Sequence, residues 1–141
     1  VLIDNSYRFL EHVADMGIEA RAGSRAEVFQ GMARGLVVLI FGDSPAVATA
    51  SAKIAVRAED PVELLVGWLN EVAYWCEKND MVPSAFTIDA LSDNELQAAI
   101  FGEPFTPERH AVERQVKSVT YHQACLEETP EGWYARVYVD L

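Results

Sequence analysis

Basic residues are scarce in this chain. Lys and Arg number 11 against 22 Asp and Glu, which leaves a formal net charge of −11. A surface that acidic repels phosphate backbones and excludes a general nucleic-acid binder. It suits a basic protein partner or a bound cation. Long apolar runs are also missing. The longest, Leu36 to Phe41, falls far short of the roughly 20 residues a membrane-spanning helix needs. Asp4 and Arg8 interrupt the opening stretch, so no signal-peptide pattern is expected. The two cysteines, Cys76 and Cys125, lie far apart without metal-ligand spacing. They read as reduced, buried thiols of a cytoplasmic protein. The three histidines, His12, His110 and His122, are too scattered for a zinc site. Gly102-Glu103-Pro104 is not a phosphate-cradling loop, and neither a G-x-S-x-G elbow nor a C-x-x-C pair occurs.

What remains is a well-hydrophobic, well-patterned chain. Its 141 residues fit one domain spanning the whole sequence, and 50% of them are hydrophobic, enough for a buried core. A first strand is expected over residues 3–10. Met16 to Ala22 alternates, with Met16, Ile18, Ala20 and Ala22 on one face and Gly17, Glu19 and Arg21, with Asp15 before them, on the other. Ser24 with Glu27 forms a capping box that opens an amphipathic helix running to Phe41, and Gly42 stops it. A one-sided strand starts at Thr49. Asp60–Pro61 opens a second helix, apolar over so much of its surface that it should be central, with Asn79–Asp80 and Pro83 ending it. Two short strands, Ala85–Leu91 and Glu95–Phe101, form a hairpin. Gly102 to Glu113 reads as a loop or short helical turn. Lys117–Glu127 and Trp133–Leu141 are the last two strands. The order β-β-α-β-α-β-β-β-β argues an α+β domain, two helices packed on one face of a mostly antiparallel or mixed sheet.

Three constellations carry possible chemistry. His12 and Asp15, in His12-Val13-Ala14-Asp15, stand at a strand entry among apolar neighbours. Asp15 there serves as a metal ligand or hydrogen-bond acceptor, or else caps a turn while His12 donates to a backbone carbonyl. In the last strand Tyr134, Arg136, Tyr138 and Asp140 share a face. Asp140 lies beside the carboxyl of Leu141, and two anions so close require a cation, an Arg or solvation. Hard oxygen ligands of this kind suit Ca²⁺ or Mg²⁺ rather than Zn²⁺. The alternative is a frayed, solvated end. His122, expected with Thr120 on one strand face, is either a general base or a structural histidine, and no nucleophile stands near it in sequence.

The pieces His12-Val13-Ala14-Asp15-Met16-Gly17-Ile18, Trp68-Leu69-Asn70-Glu71, Gly102-Glu103-Pro104-Phe105 with Pro107 and His110, Val116-Lys117-Ser118-Val119-Thr120-Tyr121-His122 and Val139-Asp140-Leu141 together span nearly the whole length. In that order they resemble archease, the small acidic protein that assists RtcB-type RNA ligases. The family commonly has Thr at the position of Val13, Ile at Met16 and Ala at Ser118. None of these differences removes a charged ligand.

The resemblance implies a compact α+β domain without catalytic activity of its own. It implies a divalent cation, calcium in the family, with Mg²⁺ or Mn²⁺ also compatible, held by Asp15, Asp140 and Leu141. It implies a cytoplasmic partner, an RtcB-type RNA ligase, whose guanylylation from GTP and repeated turnover in tRNA splicing the protein promotes. Lys117, Arg109 and His110 are further candidates, Lys117 as a bridge between carboxylates, as a partner contact or as a plain surface lysine. Two competing readings stay open. One is a metal-dependent hydrolase of the phosphatase kind using the same carboxylates. The other is a general chaperone or scaffold without metal.

Overall fold

The computed structural model describes residues 6–11 and 15–141. Its elements run β1 (Tyr7–Glu11), β2 (Asp15–Ala22), α1 (Arg25–Phe41), β3 (Ala50–Arg57), α2 (Pro61–Asn79), β4 (Met81–Leu91), β5 (Glu95–Pro104), β6 (Ser118–Thr129) and β7 (Gly132–Asp140). The α+β order is as the patterning implies, but the strands divide between two sheets. One has the order β1-β2-β7-β6 and the other β3-β5-β4. Every strand pairing described is antiparallel.

The reason for two sheets lies in the helices. Leu64, Leu65, Val66, Trp68, Leu69, Val72, Trp75 and Cys76 are all buried on α2. So broad an apolar surface needs cover on more than one side. Both helices therefore form a middle layer. α1 packs on β1, β2 and β7 of one sheet and on β4 of the other, and α2 packs on β6 and on β3, β4 and β5. Gly35 lets α1 approach closely, since a Cβ there would lie 2.9 Å from Ile18 Cγ2.

The helix ends follow from their caps. Ser24 Oγ accepts from the Glu27 amide, and Gly42 ends α1 with a positive φ. Glu27 completes the box differently from the usual pattern, taking the Ser24 hydroxyl at 2.9 Å. Asp60 caps α2 ahead of Pro61, and Asp80 closes it in the left-handed region.

Several strand boundaries move. β1 begins at Tyr7. β4 begins at Met81 and runs through Pro83, which does not follow the helix as a breaker. Pro83 sits at a register shift on an edge strand, where its missing N–H disturbs no ladder bond. Gly102-Glu103-Pro104 belongs to β5 rather than to a loop. A Cβ on Gly102 would lie 2.3 Å from the Val82 carbonyl oxygen, so the close β4–β5 pairing requires glycine there. β6 is broken by a register shift between Thr120 and Cys125, with Gln123 at φ 59°. Cys76 is buried and Cys125 only half-buried, and both thiols are free. Among the described residues no helix is long and apolar enough to cross a membrane.

Two residues of the Trp68-Leu69-Asn70-Glu71 stretch join the layers. Trp68 Nε1 donates to the Phe29 carbonyl of α1 at 3.0 Å, and its ring meets Phe86 of β4 edge-on at 5.8 Å. Asn70 takes both outward backbone groups of Val119, donating to its carbonyl at 3.0 Å and accepting from its amide at 2.8 Å. The side-chain amide thereby finishes the free edge of β6. Asn70→Ala is expected to lower stability by about 1–3 kcal/mol, read as a lower urea midpoint at constant m. An unmoved midpoint would mean that water replaces both bonds without loss.

Candidate functional site

The ladder between β2 and β7 builds the site. Its register sets Asp15 opposite Asp140, Gly17 opposite Tyr138, Glu19 opposite Arg136 and Arg21 opposite Tyr134. Residues paired across a ladder share a sheet face, and like charges directly opposite each other are destabilising. Two carboxylates brought close by such a register would need a counter-charge. Asp140 is not on a frayed end. It pairs with Asp15 on one side and Ser118 on the other, and its carbonyl accepts from the Lys117 amide at 2.8 Å. The Leu141 side chain packs against the core. By residue type, the two aspartates that the register sets opposite each other form an oxygen-donor set. That set fits a hard divalent cation such as Ca²⁺, Mg²⁺ or Mn²⁺. Among the described residues no group of three or more His, Cys, Asp or Glu forms a rival metal site.

The other candidates fall in different places. His12 lies outside the described residues. Lys117 adjoins the pair through its backbone. His122 is exposed within the irregular part of β6, where the register shift interrupts the alternation expected for Thr120 and His122. Arg109 and His110 belong to a separate cluster. Arg109 donates to Glu103 Oε1 from Nε at 3.1 Å and Nη2 at 2.8 Å. His110 is buried; its Nδ1 accepts from the Thr106 amide at 2.9 Å. Its Nε2 must then carry the proton, donating toward the Pro45 carbonyl at 3.0 Å and Glu103 at 2.9 Å. The Arg109 guanidinium, opposed by burial and aided by His110, holds the Glu103 carboxyl below its ordinary pKa. This cluster pins the loop after α1 to the loop after β5.

One residue of the outer sheet face went unrecognised in the sequence. Glu19 shares its strand face with exposed Arg21, yet it is buried. It accepts from the Tyr134 hydroxyl at 2.6 Å and from Arg8 across the β1–β2 ladder. The Arg21 guanidinium lies over the Tyr134 ring, 4.5 Å from its centre. Burial works to raise the Glu19 pKa, but the Tyr134 bond and the charges of Arg8 and Arg21 outweigh it, so the net shift is downward. Burial, with Glu19 beside it, pushes the Tyr134 hydroxyl up to about 12. Local pattern carries no sign of this row, because Arg8, Glu19 and Tyr134 meet only once the strands are in register.

Comparison with known proteins agrees with this architecture. Residues 7–141 match the model of the Archease protein family. "Protein archease" of Methanosarcina acetivorans is 32% identical over 139 residues, covering 96% of this chain and 95% of its own length. "Protein archease" of Methanopyrus kandleri is 31% identical over 135 residues, covering 94% of this chain and 96% of its own. The solution structure of Methanobacterium thermoautotrophicum protein 1598 superposes with a TM-score of 0.81 at 27% identity, covering 96% of this chain and 99% of that one. A Thermotoga maritima crystal structure, described as an archease and possible chaperone, shares the fold. Its TM-score is 0.60 at 19% identity, with 94% of each chain covered.

The Glu19 network generates a pH prediction. A carboxyl held below its ordinary value of 4.5 contributes stability that is fully present above that pH. The contribution is lost as the pH falls through the lowered value. The stability gap between the wild type and Glu19→Gln is therefore expected to be widest near neutrality and to narrow in acid, measured by urea unfolding across pH. A constant gap would show that ionisation of Glu19 is not what stabilises the face.

Proposed function

The chain belongs to the archease family, and on that premise we propose that it is a non-catalytic protein activator of a cytoplasmic RtcB-type RNA ligase. It promotes transfer of GMP from GTP to the ligase and so sustains repeated joining of RNA ends, as in tRNA splicing. The observation that carries this reading is the register pair Asp15–Asp140. Asp15, Asp140 and Leu141 are the residues that would hold a divalent cation, calcium by family resemblance. When bound, that cation supplies the positive charge the paired carboxylates need.

The chain's own residues support the rest. With a net charge of −11, the surface is drawn to the basic, RNA- and nucleotide-binding region of a ligase, and it discourages direct RNA binding by the activator itself. Lys117, whose amide fixes the Asp140 carbonyl, holds the acidic pair at a set depth at the end of the sheet. The docked edge is then the end of the β2–β7 ladder, with Asp15 and Asp140 foremost.

The test is GMP loading of a cognate ligase with GTP and Mn²⁺ at substoichiometric amounts of this protein. Wild-type protein is expected to accelerate loading and multiple-turnover ligation. Asp15→Asn and Asp140→Asn should each reduce that stimulation about tenfold or more, with folding checked by circular dichroism. Full stimulation by both variants would sink the proposed role of the pair.

A further inference from the structure

The partners of the basic residues single out one cavity. Arg8, Arg25, Lys53, Arg57 and Arg109 are in ion pairs. Arg21 and Lys78 lie over tyrosine rings, and Arg34 and Arg136 donate to backbone carbonyls. Among the described residues, the side chains of Arg114 and Lys117 are left without an ion pair, hydrogen bond or ring contact. In a chain with twice as many acidic as basic residues, unpaired cations are unexpected. Both line the same cavity, of about 480 Å³, a size within the usual range for small-molecule sites.

The walls of that cavity are apolar. Phe41 of α1, Ala73 and Cys76 of α2, Met81 of β4, and Phe105 and Val116 of the following loop all face it. Burial raises the Cys76 thiol to about 12, so it stays neutral and adds to the apolar lining. Val112 stands at the edge with about half its surface exposed. Glu77 and Asp80 also reach the lining, yet neither pairs with Arg114 or Lys117. One wall, residues 112–117, has no regular secondary structure. It is tied by the Glu113 and Arg114 amides to the Ile40 carbonyl and by the Lys117 amide to Asp140.

From these features we propose that the cavity is a binding site for a small amphipathic anion, an apolar body carrying one carboxylate or phosphate head. The body occupies the space between Phe41, Met81 and Phe105. The head sits at the rim, where Arg114 and Lys117 supply charge-assisted hydrogen bonds. The site adjoins the acidic pair through Lys117, whose amide is bonded to the Asp140 carbonyl, but it stands whether or not that pair holds a metal.

The test is isothermal titration of the full chain with decanoate, decyl phosphate, decanol and decylammonium, each below its micelle concentration. Amide chemical shifts of Phe105 and Val116 are followed in parallel. One-site binding of at least one anion is expected, with the tighter of the two identifying the head group. Arg114→Gln combined with Lys117→Gln should weaken it about tenfold or more, and Ala73→Phe should abolish it by filling the space. Both charge-removed positions are exposed, so the double variant carries the test if Ala73→Phe fails to fold. The proposal is overturned if neither anion binds, if decanol binds as tightly as the anions, or if the double variant binds like the wild type.

Discussion

The ladder between β2 and β7 is the constraint on which the rest depends. It joins Asp15–Ala22 to Gly132–Asp140, so almost the entire chain lies inside the loop it closes. Loop-closure entropy opposes so distant a pairing. Burial compensates. Ile18 and Ala20 from one strand and Ala135, Val137 and Val139 from the other are at or near zero exposure, and both strands pack on α1. The same closure fixes the opposite face of the sheet. The backbone of Asp15 is set opposite that of Asp140, and Glu19 comes within reach of the Tyr134 hydroxyl. The polar row is thus positioned by the apolar one behind it, and any slip of one residue would move both sets to the wrong side.

Legibility in the sequence follows the range of the interaction. The helices were readable because their signals are local. Ser24 with Glu27 and Asp60 with Pro61 mark the starts, and Gly42 and Asp80 the ends. The face assignment of β2 and β7 was equally readable from alternation. The division into two sheets was not, since it depends on which strands cover a helix with so broad an apolar face. Pro83 read as a helix breaker because a proline's tolerance on an edge strand depends on its neighbours. The burst of irregularity after Thr120 was hidden too, as Gln123 in the left-handed region has no fixed sequence signature. Of the site, Asp15, Asp140 and Lys117 converge at one end of the sheet. Arg109 and His110 lie in a separate cluster with nearby Glu103 and with Pro45, a residue distant in sequence that only the fold brings near.

The charge pattern has two layers. Most cations are bound to named carboxylates or rings, so the surplus negative charge is spread over the surface without local relief. At one place the balance is set by geometry. Around Glu19, Arg8 supplies the opposite charge and the Tyr134 hydroxyl a hydrogen bond to a buried carboxylate on the sheet face. That arrangement is self-contained.

The irregular strands have a consequence for life in a crowded solution. Each sheet is open, so it presents two edges, and an open edge is a template for unwanted pairing with another chain. Here β6 is twisted by its register shift and its Val119 groups are occupied by Asn70. β4 carries Pro83 and two shifts of its own. β3 bears Lys53 and Arg57, and β1 bears Arg8. The register shift in β6 therefore acts as a stop. It keeps a chain rich in β-structure from adding a neighbour's strand to its own sheet, as in fibril growth.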